Sequence, residues 1–216
     1  MSSPITIENK EKADSTIFIL HGLGDTGKGW VDVANIITEK FPKTKVILPT
    51  APTRAVTANM GMEMPAWFDI YGFSETSKRD DDGIKKSSEI LNKLIEEEVS
   101  KSKKIIIGGF SQGGVIALYT ALFLTKVKLD GVIGLSCFVP VSKEKPQEIL
   151  ENNKETPFII CHGDSDSLIP LNWAERSAKF LQANDLDVKF NVYKNLPHGI
   201  SEQVIDDVLN WLSKIL

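Results

Sequence analysis

Two stretches of this chain, Ile105-Ile106-Ile107 and Phe158-Ile159-Ile160, are apolar at every position. A strand with one wet face alternates apolar and polar residues, so unbroken runs of this kind suit strands covered on both faces. Further β-rich runs occur at Ser15–Leu20, Lys45–Leu48, Lys104–Ile107, Gly131–Leu135, Pro157–Cys161 and Val188–Tyr193. Helical patterns lie between them. Across 82–99, Ile84, Leu91, Leu94, Ile95 and Val99 share roughly one face. Near the end, Val204, Ile205, Val208, Leu209, Leu212 and Ile215 form an apolar stripe, with Ser201 ahead of it as an N-cap. Alternating β and α with doubly buried strands predicts an α/β fold, a mostly parallel central sheet flanked by helices on both faces. Chemistry in such sheets collects in the loops beyond the strand C-termini.

The length, 216 residues with 42% hydrophobic, is enough for one domain over 1–216 with a sizeable core. Net charge is -4 and no dense basic stretch occurs, which argues against nucleic acid as a partner. The lysines at 101–104 read as a solvated helix end. The first residues lack the basic and apolar regions of a secretory signal, and no apolar run approaches the roughly 20 residues of a membrane span. Ser2 stands where myristoylation needs glycine, and no prenylation box closes the sequence. Cys137 and Cys161, the only two cysteines, make a poor disulfide framework and suit a reducing compartment. The expectation is a soluble protein of the cytoplasm, with the nucleus as a second compartment and at most transient contact with a membrane surface. From about 49 to 80 the pattern becomes irregular, yet it carries Met60, Met62, Met64, Trp67, Phe68, Ile70, Tyr71 and Phe73. Long irregular loops in compact domains are uncommon and often functional.

Ser111 lies between a strand ending near Gly109 and a helix beginning near Gly113, in Gly109-Phe110-Ser111-Gln112-Gly113. This is the Gly-x-Ser-x-Gly pattern of a nucleophile elbow. A sharp strand-to-helix turn exposes the serine, and a β-carbon two residues to either side would clash. The helix N-terminus favours negative charge there, and the Gln112 N–H is placed to donate to an oxyanion. In the α/β-hydrolase order, acid and then base follow the serine. His21 precedes Ser111, and His162 stands before the natural acid turn. His198, between the last strand and the last helix, is therefore the expected base. His162-Gly163-Asp164-Ser165-Asp166 offers two carboxylates for the acid, and the residues alone do not choose between Asp164 and Asp166.

Gly22-Leu23-Gly24-Asp25-Thr26-Gly27 matches the dinucleotide fingerprint G-x-G-x-x-G. That reading also needs an acid at the end of the second strand, and Leu48-Pro49-Thr50-Ala51 supplies none. A phosphate loop fails too, because Gly29 stands where Ser or Thr should follow Lys28. The glycines instead let the backbone approach the nucleophile, so that the Leu23 N–H forms the second half of an oxyanion hole.

These blocks resemble the acyl-protein thioesterases of the small carboxylesterase/lysophospholipase family over nearly the whole chain. The resemblance rests on HGLGDTGKGW (21–30), PTAPTRAVTANMGMEMPAWFDI (49–70), GFSQGG (109–114), LSCFVP (135–140), HGDSDSLIP (162–170) and PHG (197–199). It implies the α/β-hydrolase fold, with Ser111, Asp166 and His198 as catalytic triad and Leu23 and Gln112 on the oxyanion positions. It also implies that the 60–73 stretch, with Met60, Met62, Met64, Trp67, Phe68 and Phe73, borders an acyl channel together with Leu168. No cofactor and no metal are implied. The implied activity is cleavage of fatty acyl thioesters from S-acylated proteins. Lysophospholipids or small esters are the alternative substrates, and a non-catalytic protein binding an apolar ligand is a third reading that an intact Ser, Asp and His set opposes. Phe138 occupies a position where Trp is common in relatives, and no early cysteine supports N-terminal palmitoylation. An apolar face near the active-site loops is compatible with a weak homodimer.

Overall fold

A computed structural model describes residues 3–9, 11–72, 77–141 and 148–216. The doubly buried runs become neighbouring strands of one seven-stranded sheet. In chain order these are β1 (Ile5–Ile7), β2 (Ser15–Leu20), β3 (Thr44–Leu48), β6 (Lys104–Phe110), β7 (Gly131–Leu135), β8 (Phe158–Gly163) and β9 (Val188–Tyr193). Their spatial order is β1-β3-β2-β6-β7-β8-β9. All pairs are parallel except β1 on β3. The helices are α1 (Val31–Lys40), α2 (Asp81–Glu98), α3 (Gln112–Phe123), α4 (Leu171–Ala183) and α5 (Glu202–Leu212).

The unbroken apolar strands have a direct explanation in two separate hydrophobic layers. Phe18, Leu20, Ile105, Ile107, Phe158 and Ile160 pack toward α2, α3 and α4. Their sequence neighbours Ile17, Ile19, Ile106 and Ile159 pack on the opposite face, toward α1 and α5. Successive side chains leave a strand on opposite faces, so every position must be apolar when both faces are covered. Helix α3 is buried from Gln112 to Leu122, because it crosses the middle of the sheet beneath α2. At α5, Ser201 Oγ accepts from Val204 N, the cap expected from the sequence.

Three elements go beyond the sequence expectation. β1 adds an antiparallel edge. Within 49–80 the chain forms a separate hairpin of β4 (Thr53–Val56) and β5 (Met62–Pro65), turned through Met60 and Gly61, both at positive φ. The strand expected to end near Gly109 reaches Phe110, and the one expected at Pro157–Cys161 runs on to Gly163, which carries both to the active-site end. Among the described residues, no helix is long and apolar enough to cross a membrane. Cys137 and Cys161 are buried free thiols.

Candidate active site

The turn between β6 and α3 holds Ser111 at φ 53°, ψ -119°. A left-handed φ in a residue with a side chain costs about 1–3 kcal/mol, and surrounding structure must impose it. Here Ser111 N donates to Leu135 O at 2.9 Å, and Val115 N donates to Ser111 O at 3.1 Å. The flanking glycines are steric necessities. A Cβ on Gly109 would lie 2.4 Å from the Gly113 carbonyl carbon, and one on Gly113 would lie 2.2 Å from Leu20 O.

The loops after β8 and β9 bring the other two members to this serine. His198 Nε2 lies 3.0 Å from Ser111 Oγ, and His198 Nδ1 lies 2.7 Å from Asp166 Oδ2. A carboxylate only accepts, so Nδ1 carries the proton and Nε2 is left to accept from the serine hydroxyl. The Asp166 side chain is fully buried. Its Oδ1 accepts from Leu168 N at 2.9 Å and Ile169 N at 2.8 Å, which holds the carboxylate edge toward the imidazole. Of the two carboxylates in this turn, Asp166 is the one that meets His198. Asp164 is exposed and accepts locally, from Asn195 N and Ser165 Oγ.

The other histidines are buried struts. His162 Nε2 donates to Ile169 O at 2.8 Å and passes 3.4 Å from Asp166 Oδ2. Burial lowers its pKa, outweighing the Ile169 carbonyl and the Asp166 charge, so the ring stays neutral. His21 is likewise neutral, its pKa lowered by burial despite the Gly22 carbonyl and Asp25. Its Nδ1 donates to Gly22 O at 2.6 Å, and its Nε2 accepts from Ala51 N at 3.0 Å. This ring thereby anchors the glycine loop to the segment after β3.

In that loop, Asp25 N donates to Gly22 O across Leu23 and Gly24, with Gly24 at φ 76°. Gly24 N donates to Pro65 O at 2.8 Å. The turn does not use the Leu23 N–H, and Leu23 borders the same cavity as Ser111. Gly27 serves close packing, since a Cβ there would lie 2.4 Å from Leu48 O. Gln112 opens α3, so its N–H is among those a helix leaves without an internal partner. Its side chain does something the sequence did not reveal. Oε1 accepts from Trp67 N at 3.0 Å and Nε2 donates to Phe68 O at 2.8 Å, which fastens the 67–68 segment to the elbow.

A cavity of about 770 Å³ opens from Ser111 and His198, with mostly apolar walls. Phe68 and Leu168, which the resemblance placed beside an acyl channel, line it. Met60, Met62, Met64 and Trp67 do not. Met60 and Met62 sit on the β4–β5 hairpin and face solvent, Met60 89% exposed. The Met64 sulfur accepts from Asn59 Nδ2 and rests against the glycine loop. Trp67 is wholly buried, its Nε1 donating to His21 O at 2.8 Å, so it supports the site from beneath. Phe73 lies outside the described residues. The walls come instead from Ile70 and Tyr71, from Phe138, Val139 and Val141 after β7, and from Trp173 and Phe180 on α4. Phe138 and Trp173 meet edge to face at 5.0 Å. The spacing of Trp173 and Phe180, two turns apart on one helix, was the available signal for this wall.

Comparison with known proteins agrees with this geometry. The phospholipase/carboxylesterase family matches residues 1–216. Acyl-protein thioesterase 1 of Emericella nidulans is 37% identical, covering 99% of this chain and 95% of that protein. Acyl-protein thioesterase 1 of Cryptococcus neoformans is 36% identical, covering 98% and 97%. The crystal structure of Zea mays acyl-protein thioesterase 2 superposes with a TM-score of 0.88 at 30% identity, covering 99% of both chains.

Proposed function

The chain belongs to the phospholipase/carboxylesterase family and is a serine hydrolase, and from that premise we propose that it removes fatty acyl groups from the cysteines of S-acylated proteins. One observation carries this reading. A largely apolar cavity ends on a serine hydroxyl that is hydrogen-bonded to an imidazole, which is in turn bonded to a buried carboxylate. The cavity walls take the acyl chain, at about 0.8 kcal/mol per buried methylene. Ser111 Oγ attacks the acyl carbonyl carbon as His198 Nε2 takes its proton, and Asp166 stabilises the resulting imidazolium. The Leu23 and Gln112 N–H groups receive the oxyanion; one such donor is typically worth about 2.7–4 kcal/mol. The C–S bond then breaks, and the cysteine leaves with the proton from His198. A free thiol has a pKa near 8.5, so the leaving group needs little acid assistance. Water, deprotonated by His198, cleaves the Ser111 ester and releases the fatty acid. The cytoplasm is the proposed compartment, in keeping with two unpaired thiols.

The substrate assignment is tested by comparing kcat/KM for a palmitoylated peptide thioester and a lysophospholipid of equal chain length. A preference for the thioester is expected. A clear preference for the phospholipid would overturn the assignment and leave the serine hydrolase chemistry standing.

A further inference from the structure

The two walls of the cavity both start at the elbow and are joined again farther out by one residue. One wall leaves from Phe68, whose carbonyl is held by Gln112, and continues through Ile70. The other leaves from Leu135, whose carbonyl receives Ser111 N, and continues through Phe138 and Val139 to Val141. Arg79 connects them. Its backbone forms a β-bridge with Ile70, which seats it on the first wall. Its Nη1 donates to Val141 O at 3.0 Å, on the second wall. Its Nε donates to Asp81 Oδ1 at the start of α2, so the fork is held from both sides. Asp80 reinforces the base of this segment, accepting from Asp69 N and Gly83 N. The crossing falls two residues beyond Phe68 and six beyond Leu135, a reach of at most about 20 Å on the longer side. Arg79 lines the same cavity as Ser111, so the crossing forms part of its wall.

We infer that Arg79 is a specificity-determining residue that sets the longest acyl chain the cavity accepts, by closing its two walls with a charged end. This rests on the proposed acyl hydrolysis at Ser111. The Arg79 side chain is only 26% exposed. A terminal methyl group that reaches it must either strip water from a guanidinium or displace it from the Val141 carbonyl, and both oppose binding. Chains that stop short of the crossing meet walls that are mostly apolar. Lysine cannot replace this residue fully, because a single ammonium lacks the planar fork that serves Asp81 and the Val141 carbonyl together.

The test is kcat/KM for a series of acyl thioesters from C8 to C18, in the full-length protein and in Arg79→Met. Each methylene that gains an apolar place raises kcat/KM about fourfold. Two further methylenes placed in the space that Arg79→Met frees should therefore raise the C18-to-C8 ratio about 16-fold over wild type, with the change in KM rather than kcat. Asp81→Ala, which frees one side of the fork, should move the ratio in the same direction by less, and it carries the test alone if Arg79→Met does not fold. A ratio within about twofold of wild type, or a parallel change at every chain length, would overturn the inference. Failure of the underlying reading looks different: the wild-type protein would then hydrolyse none of the series in a Ser111-dependent manner.

Discussion

Replacing Asp166 with asparagine changes one atom, and the structure dictates where that atom goes. Oδ1 accepts two backbone N–H groups, from Leu168 and Ile169, at 2.9 and 2.8 Å. The amide oxygen must take that place, because an NH₂ group there would set donor against donor and leave two part-buried N–H groups unpaired, at up to about 1–3 kcal/mol each. The NH₂ group consequently lands at the Oδ2 position, 2.7 Å from His198 Nδ1. It donates to Nδ1 and forces the proton onto Nε2, which faces Ser111 Oγ at 3.0 Å. A protonated Nε2 cannot accept the serine proton. The expected loss in kcat is about 10⁴-fold, as for the equivalent change in a serine protease triad, or about 5.4 kcal/mol of barrier. The assay is steady-state hydrolysis of a short p-nitrophenyl ester, with thermal melting alongside to show that the protein remains folded. A folded Asp166→Asn protein that loses less than about tenfold, about 1.4 kcal/mol, would refute the tautomer argument.

Three further outcomes are expected. Gly113→Ala should fail to fold, because its Cβ would sit 2.2 Å from Leu20 O, whereas Gly199→Ala, with open space around it, should stay within about 0.5 kcal/mol of wild type; yield and melting temperature separate the two. Gln112→Met keeps the backbone N–H but strands Trp67 N and Phe68 O, so denaturant titration should show a loss of about 2–5 kcal/mol. Burial would raise the Glu98 pKa, but its hydrogen bonds and ion pairs to Lys45 and Lys101 outweigh that and lower it. A lowered folded pKa stabilises above the unfolded carboxylate value of about 4.3. Glu98→Gln should therefore melt below wild type at pH 7, and the gap should close as pH falls through the depressed pKa.

Much of the architecture was legible because burial on both faces writes itself directly into sequence. Ile105–Ile107 and Phe158–Ile160 have no polar alternation to confuse their reading, and α5 carries both a cap and a wide stripe. β1 has three residues, Ile5 and Ile7 part-buried and Thr6 exposed, too few for a period to register. Helix α4 buries Ala174, Ser177, Ala178 and Leu181, an inward face of mostly small residues that makes a faint stripe. The elbow and the base were legible because steric demand and chain order are local properties. The cavity was not. Its walls come from segments far apart in sequence, so Phe68 and Leu168 could be named from the resemblance while Phe138, Val139, Val141, Trp173 and Phe180 could not be joined to them before the fold was known. The methionines at 60–64 had the right chemistry for an acyl wall, but Met60 and Met62 are exposed on the hairpin and Met64 rests against the glycine loop. The Gln112 clamp and the Arg79 crossing depend on side chains reaching backbone groups more than 40 residues away, which no pattern in sequence announces.

The central claim is that Ser111 carries the acyl group between the two half-reactions. Intact-protein mass spectrometry during turnover of a palmitoylated peptide thioester, followed by peptide mapping, tests it most directly. The account predicts one palmitoyl adduct on the peptide containing Ser111, and neither adduct nor hydrolysis in Ser111→Ala. An adduct on another residue, or thioester hydrolysis that persists in Ser111→Ala, would contradict it.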